Sequence, residues 1–260
     1  MIEMLVPEAS TYAHEIDFLV NLVGVIVGFW FLLSLGVFFF LIWRYRYQEG
    51  VPTQYVDGSD PKHKRFISWP HNLILLCDIV LAVFAVKAWV LVKQTLPEPT
   101  QGKAEEVRVV AQQWAWTFVY PGPDGKFDTT DDIKVVDDMH VAKGVITHFD
   151  LVSRDVLHSF SIPVFRLKQD VIPGRVIKGW FEATETGTFD LQCTEICGLA
   201  HGLMFGKVVV ETPEQHAIWL AAHVPAGVPT TPAAATPAPP SPAPAPPPTP
   251  EKAPTPEKKP

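Results

Sequence analysis

The segment Gln192-Cys193-Thr194-Glu195-Ile196-Cys197-Gly198-Leu199-Ala200-His201-Gly202-Leu203-Met204 sets two thiols, an imidazole and a thioether within twelve residues. Thiolate, imidazole and thioether donors together select copper over hard ions such as Mg²⁺ or Ca²⁺. A further imidazole, His158, stands upstream in Asp155-Val156-Leu157-His158-Ser159-Phe160. A blue-copper site uses one Cys, two His and a weak axial Met; here there are two cysteines. A pair four residues apart on one loop can bridge two copper ions, each taking one imidazole. Met204 then serves one ion as weak axial ligand, and a backbone carbonyl at Glu195 serves the other. Two plainer readings compete. In an oxidising compartment Cys193 and Cys197 can form a disulfide, and a tetrahedral zinc site would use Cys and His without Met204. The conjunction of all five donors favours copper.

Such a loop needs a stiff scaffold, and the flanking sequence supplies a β-type one. Val107–Ala111, Trp114–Tyr120, Ile146–Val152, Val176–Phe181, Thr188–Gln192 and Lys207–Val210 read as short strands. Gly102, Pro121–Gly125, Pro173–Gly174 and Gly187 punctuate them. Many short strands at this spacing predict an all-β sandwich or barrel with Greek-key connections. Thr212 as cap and Pro213 at the first position then open a short helix to about Ala222. From 224 onward the chain holds 15 of its 26 prolines, in Ala-Pro and Thr-Pro repeats that cannot bury a core. That part is expected to be a disordered, extended tail.

Upstream, Phe18–Trp43 carries no charged side chain and is long enough to span a bilayer. Trp69–Val92 is a second candidate span, interrupted by Asp78 and Lys87. Asp78 implies packing against other membrane subunits, since charges at that depth face protein or a cavity. A cleaved signal peptide would want a basic start, whereas the first seventeen residues carry Glu3, Glu8, Glu15 and Asp17 and no Lys or Arg. Arg44, Arg46, Lys62, Lys64 and Arg65 between the spans place that loop in the cytoplasm. Both termini are therefore expected on the outer side. The expected organisation is a short outer segment 1–17, a transmembrane hairpin over 18–95, a β domain over 100–223, and the tail 224–260. A net charge of −7 argues against a nucleic-acid partner and suits a cationic protein one.

The pattern Cys-x-Glu-x-Cys-x3-His-x2-Met, preceded by Asp-Val-Leu-His-Ser-Phe, resembles subunit II of the haem–copper cytochrome c oxidases. The two-helix hairpin, Gln113-Trp114-Ala115-Trp116 and Ile172-Pro173-Gly174-Arg175 extend the resemblance over most of the chain. It implies a cupredoxin-like domain with a binuclear copper (CuA) centre, bridged by Cys193 and Cys197. His158 and His201 would bind one ion each, with Met204 and the Glu195 carbonyl completing the shells. The Glu195 side chain is implied to reach a Mg²⁺ or Mn²⁺ ion at the boundary with subunit I. Trp114 matches the residue at which electrons enter from cytochrome c; Asp155 and Asp170 match acidic positions near partner interfaces. The implied role is electron relay to haem in subunit I, for reduction of O₂ to water coupled to proton translocation. Subunit III is a further implied partner, and the location is a bacterial-type inner membrane with both termini periplasmic.

Ala115 stands where the family usually has Tyr, and Phe66 where it often has a Glu at the mouth of a proton channel, with His63 and His71 as conceivable substitutes. The acidic insertion 121–132 reads as a solvated turn, because a twelve-residue calcium loop with its terminal Glu is missing. Without Cys-x-x-Cys-His, no c-type haem is attached to this chain. Competing functions are a quinol-oxidase subunit, which lacks the copper ligands, and nitrous oxide reductase, which needs a second large domain. A tethered copper chaperone or thiol–disulfide protein would want an exposed cysteine pair and has no use for Met204 or Trp114.

Overall fold

The structure, a computed structural model, describes residues 5–52, 58–99 and 104–226, with the side chains of residues 62, 63 and 67 excepted. Gly102, the His63 side chain and the Pro-rich tail beyond residue 226 thus lie outside the described residues.

Two long helices come first, α1 (Ala13–Arg44) and α2 (Pro61–Trp89), the second running on through a π-helical turn at Val90–Gln94. Both are long and apolar enough to cross a membrane, and large side chains such as Phe38, Phe39, Val83 and Val86 point outward along them. Both also exceed the expected spans 18–43 and 69–92. An apolar run sets only the least length of a helix, and backbone bonding carries it into polar flanks wherever those are accommodated. At α1 the accommodation is specific. Asp17, expected in an outer segment, is fully buried, and its carboxylate is gripped by Arg166 at 2.6 Å through both Nε and a terminal nitrogen. Arg166 also donates to the carbonyls of Val6 and Pro7. Ahead of α1, Ala9 N–H donates to Val164 O and Ser10 bridges Ala183. Residues 6–17 are thus docked on the β domain rather than forming a free segment. Lys87 in α2 lies 3.7 Å from Glu15 of α1, so one charge interrupting the second span is answered across the hairpin.

The β domain has ten strands: β1 (Glu105–Gln112), β2 (Ala115–Tyr120), β3 (Ile133–Val136), β4 (Asp138–Ala142), β5 (Ile146–Ser153), β6 (His158–Ile162), β7 (Leu167–Val171), β8 (Ile177–Glu182), β9 (Gly187–Cys193) and β10 (Phe205–Glu211). They form two five-stranded sheets, ordered β3-β2-β1-β5-β8 and β4-β10-β9-β6-β7. Each sheet holds one parallel pair, β1 with β5 and β10 with β4, among antiparallel ones. Between the sheets lie Trp116, Phe118, Phe149, Phe160, Phe181, Met139 and Leu191, all essentially inaccessible. Burying each such side chain contributes roughly 1.5–3 kcal/mol. The chain changes sheets at Asp137, where φ is +61 and the carboxylate and amide clasp the Trp116 backbone. α3 (Pro213–His223) closes the domain, and its Thr212 cap makes a reciprocal capping box with Gln215.

The expected β architecture and hairpin are present. Each of the six expected strands occurs with shifted ends; the Trp114–Tyr120 run begins at Ala115, leaving Gln113 and Trp114 in the β1–β2 turn. Four strands were not anticipated: β3, β4, β6 and β7. β6 is buried on both faces and contains two serines, so its neighbours β7 and β9, not a local alternation, make it a strand. The acidic insertion is a turn with residues 123–126 exposed to solvent, and its far end is built in. Asp131 and Asp132 are buried, accepting bonds from Asp124 N–H, Thr129 Oγ1 and Asp128 N–H inside the loop.

Candidate metal centre

The Cys193–Met204 loop joins the antiparallel neighbours β9 and β10, and a bond from Cys193 N–H to Met204 O (3.0 Å) closes its base. Inside, His201 N–H donates to Gly198 O, Leu203 N–H to Ala200 O, and Met204 N–H to His201 O. These tight turns fold His201 and Met204 back over the cysteines. His158 arrives from β6, whose Phe160 pairs in register with Cys193.

The five expected donors converge. Cys193 Sγ and Cys197 Sγ are 3.7 Å apart. Cys193 Sγ is 3.9 Å from His158 Nδ1 and 3.3 Å from the Glu195 carbonyl. Cys197 Sγ is 3.5 Å from His201 Nδ1 and 3.8 Å from Met204 Sδ. Each thiol therefore has its own imidazole, and the carbonyl and thioether lie on opposite thiols. Both cysteines are free, and their separation is far beyond the ~2.05 Å of a disulfide. His158, Cys193, Cys197 and Met204 are buried, and His201 half-buried. His158 and the two cysteines form a cluster with every donor atom within 4.8 Å of the others.

Burial, reinforced by Cys193, pushes the Cys197 thiol up to about 11, so without positive charge it keeps its proton. His158 Nε2 is 2.8 Å from Asp155 Oδ1, which leaves Nδ1 facing the sulfurs. Burial would push Asp155 up. Bonds with His158 and the Gln113 and Val156 N–H groups outweigh it and hold the carboxyl below its usual range.

The family model for the periplasmic domain of cytochrome C oxidase subunit II matches residues 106–212. An alternative cytochrome c oxidase subunit 2 of Bradyrhizobium diazoefficiens is 31% identical over 236 residues, covering 82% of this chain and 82% of its own. The chain belongs to the cytochrome c oxidase subunit II family. Subunit 2 of Cereibacter sphaeroides is 28% identical over 251 residues, covering 82% of this chain and 78% of its own. Among solved structures, the periplasmic domain of subunit II from Bradyrhizobium japonicum covers 50% of this chain and 96% of its own, with 25% identity and a TM-score of 0.43.

As a subunit II, the chain is part of a haem–copper terminal oxidase, an oxidoreductase complex, and the family implies copper. The residues present fit that metal. Ions held by thiolates at about 2.3 Å can be shared by sulfurs up to about 4.6 Å apart, and these stand at 3.7 Å. Met204 supplies the fifth, soft donor that a tetrahedral zinc site has no need of.

The other expected residues of this subunit II are dispersed. Trp114 is 38% exposed at the tip of the β1–β2 turn, and Asp170 is exposed on β7 opposite Ser159. Phe66 is exposed on α2 and Ala115 half-buried at the start of β2. Asp155, matched by resemblance to an acidic position near an interface, meets His158 Nε2 at 2.8 Å; its place three residues ahead of the histidine was the available signal. Two residues at the site had not been singled out. Gln113 Nε2 donates to the Cys197 carbonyl at 2.8 Å, and Gly198 lies beneath the Trp114 ring. Around them Ile196, Leu199, Leu203 and Phe205 are exposed, Leu199 to 98%. An apolar collar of this kind marks a surface that a partner covers.

Proposed function

We propose that this subunit II is the electron-entry subunit of its oxidase, with a binuclear copper centre held by Cys193, Cys197, His158, His201, Met204 and the Glu195 carbonyl. The observation that carries the reading is the convergence of these donors around two free thiols 3.7 Å apart. Held by these residues, a copper pair would supply a one-electron store.

The protein's part is to hold the donors still. β9, β10 and β6 fix the backbone on three sides, and Asp155 fixes the tautomer and direction of His158, the usual office of an outer carboxylate. Trp114, at the surface beside the ligand loop, is the residue at which cytochrome c delivers electrons. The apolar collar and the net charge of −7 suit a cationic donor. His201 is the ligand through which electrons leave for haem in subunit I, where oxygen reduction and proton translocation belong. The Glu195 side chain serves a Mg²⁺ or Mn²⁺ ion at that boundary, and subunit III completes the assembly. The β domain and both termini lie on the periplasmic side, following the basic loop between the helices.

Copper analysis and electron paramagnetic resonance of the full chain in detergent test this. Two coppers per chain with a mixed-valence signal from one electron shared by both are expected. One copper with a blue band, or none, overturns the proposal.

A further inference from the structure

Trp114 and the ligand loop meet at one place. A Cβ on Gly198 would stand 3.2 Å from Trp114 Cζ2, 3.4 Å from Trp114 Nε1 and 2.8 Å from Gln113 Nε2. The indole thus packs on the bare Cα next to Cys197, and any side chain there would lift it away. Gly198 also has φ of +125, which L side chains rarely adopt. From the other direction, Gln113 ties the turn carrying Trp114 to the same spot. Its side-chain amide donates to the Cys197 carbonyl at 2.8 Å, and its backbone N–H donates to Asp155 Oδ2 at 2.7 Å. Next to it, Arg154 donates to Gln112 Oε1. The β1–β2 turn is therefore clamped to both segments that supply donors, the β5–β6 connection and the Cys193–Met204 loop.

We propose that Gln113 and Gly198 are positioning residues for electron entry: the amide bond to the Cys197 carbonyl and the missing side chain at 198 keep the Trp114 ring seated against the ligand loop. This rests on Trp114 being the entry residue. Neither residue is a metal ligand, and neither touches the donor protein in this role. They act by setting the gap between the surface indole and Cys197. The loop contains an internal control: a Cβ on Gly202 meets nothing within 4 Å.

The test uses the full chain in detergent with four variants, Gly198→Ala, Gln113→Leu, Gly202→Ala and Trp114→Phe. Copper-free chains are read first, by iodide quenching of Trp114 emission taken as the difference from Trp114→Phe. Gly198→Ala and Gln113→Leu should make Trp114 more quenchable, with Gly202→Ala matching the parent. Copper-loaded chains are then mixed with reduced cytochrome c. Both positioning variants should keep two coppers and an unchanged potential, while uptake slows severalfold. Should Gly198→Ala lose copper through backbone strain, Gln113→Leu decides alone, because it leaves the loop backbone intact. Parental quenching and uptake in Gln113→Leu overturn the inference. If Trp114→Phe itself takes up electrons at the parental rate, the entry residue is wrong and the failure lies with the functional proposal.

Discussion

Two buried histidines stand at opposite ends of the β sandwich, and their carboxylate partners give them different fates. His158, at the start of β6, gives Nε2 to Asp155 and leaves Nδ1 facing a thiol. His216, on α3, is held on both sides: Nε2 is 2.6 Å from Glu105 Oε1 and Nδ1 is 3.2 Å from Glu211 Oε2. Both are buried and both have acidic neighbours, so burial and charge alone do not distinguish a ligand from a structural histidine. The free nitrogen does. At the His216 end the imidazole sits between two carboxylates, with His140 3.3 Å from Glu211 and stacked on Trp219 at 4.1 Å. At the His158 end it is a half-satisfied donor waiting for a metal.

The contrast is broken most severely at the thiols. Cys197→Ser should abolish the two-copper centre while leaving His216 and α3 undisturbed; copper content and far-ultraviolet circular dichroism check this together. His158→Asn should do the same, and a copper-free but fully folded product is the expected outcome.

The buried carboxylate of Asp17 has an arginine for partner, and Arg166→Met would leave it unpaired between α1 and the β domain. The cost is about 3–5 kcal/mol. It should appear as a lowered melting midpoint and as faster proteolysis between residues 6 and 17. Next in size, His216→Gln should destabilise the α3 end by about 1–3 kcal/mol by stranding Glu105 and Glu211, with copper content unchanged. Copper loss in that variant would show that the two ends are coupled.

The pH dependence sharpens the comparison further. Burial pushes His216 down, but the bonds and charges of Glu105 and Glu211 outweigh it and hold its pKa above the ordinary value. A raised pKa in the folded state gives stability that is complete below the unfolded value of about 6.5 and is lost as pH rises through the folded one. His140 runs the other way. Burial, only partly offset by Glu211, lowers its pKa, so it costs stability as pH falls below about 6.5. Denaturation followed through Trp219 emission between about pH 6 and pH 9 should show the alkaline loss in the parent and not in His216→Gln. The smallest effect is expected at Met204. Met204→Leu should keep two coppers but shift the potential and slow transfer, and loss of copper would assign Met204 a larger structural part.

The centre was legible because its donors are mostly local: four of the five side chains fall between Cys193 and Met204. The apolar helices were legible for a related reason, since spanning length is written in consecutive residues. β6 and β7 were not, because they are strands by virtue of partners distant in the chain and carry too little apolar alternation of their own. Asp155 was visible as an acid near a histidine, yet its role depends on which ring nitrogen it meets. Asp17 read only as one of four acids in a short outer segment, and Arg166, 149 residues on, shows why it is buried.

The chemical character of the chain was therefore determined by sequence alone: soft donors at fixed spacing on one loop, and two spans of membrane length. Tertiary structure decided how those donors are used. It placed His158 beside Cys193 across 35 residues and tied Gln113 to Cys197 across 84. It also set Trp114 on Gly198, a loop position that has no side chain. Spacing along a chain fixes what can ligate locally; only the packing of two sheets fixes which distant groups arrive, and which nitrogen they present.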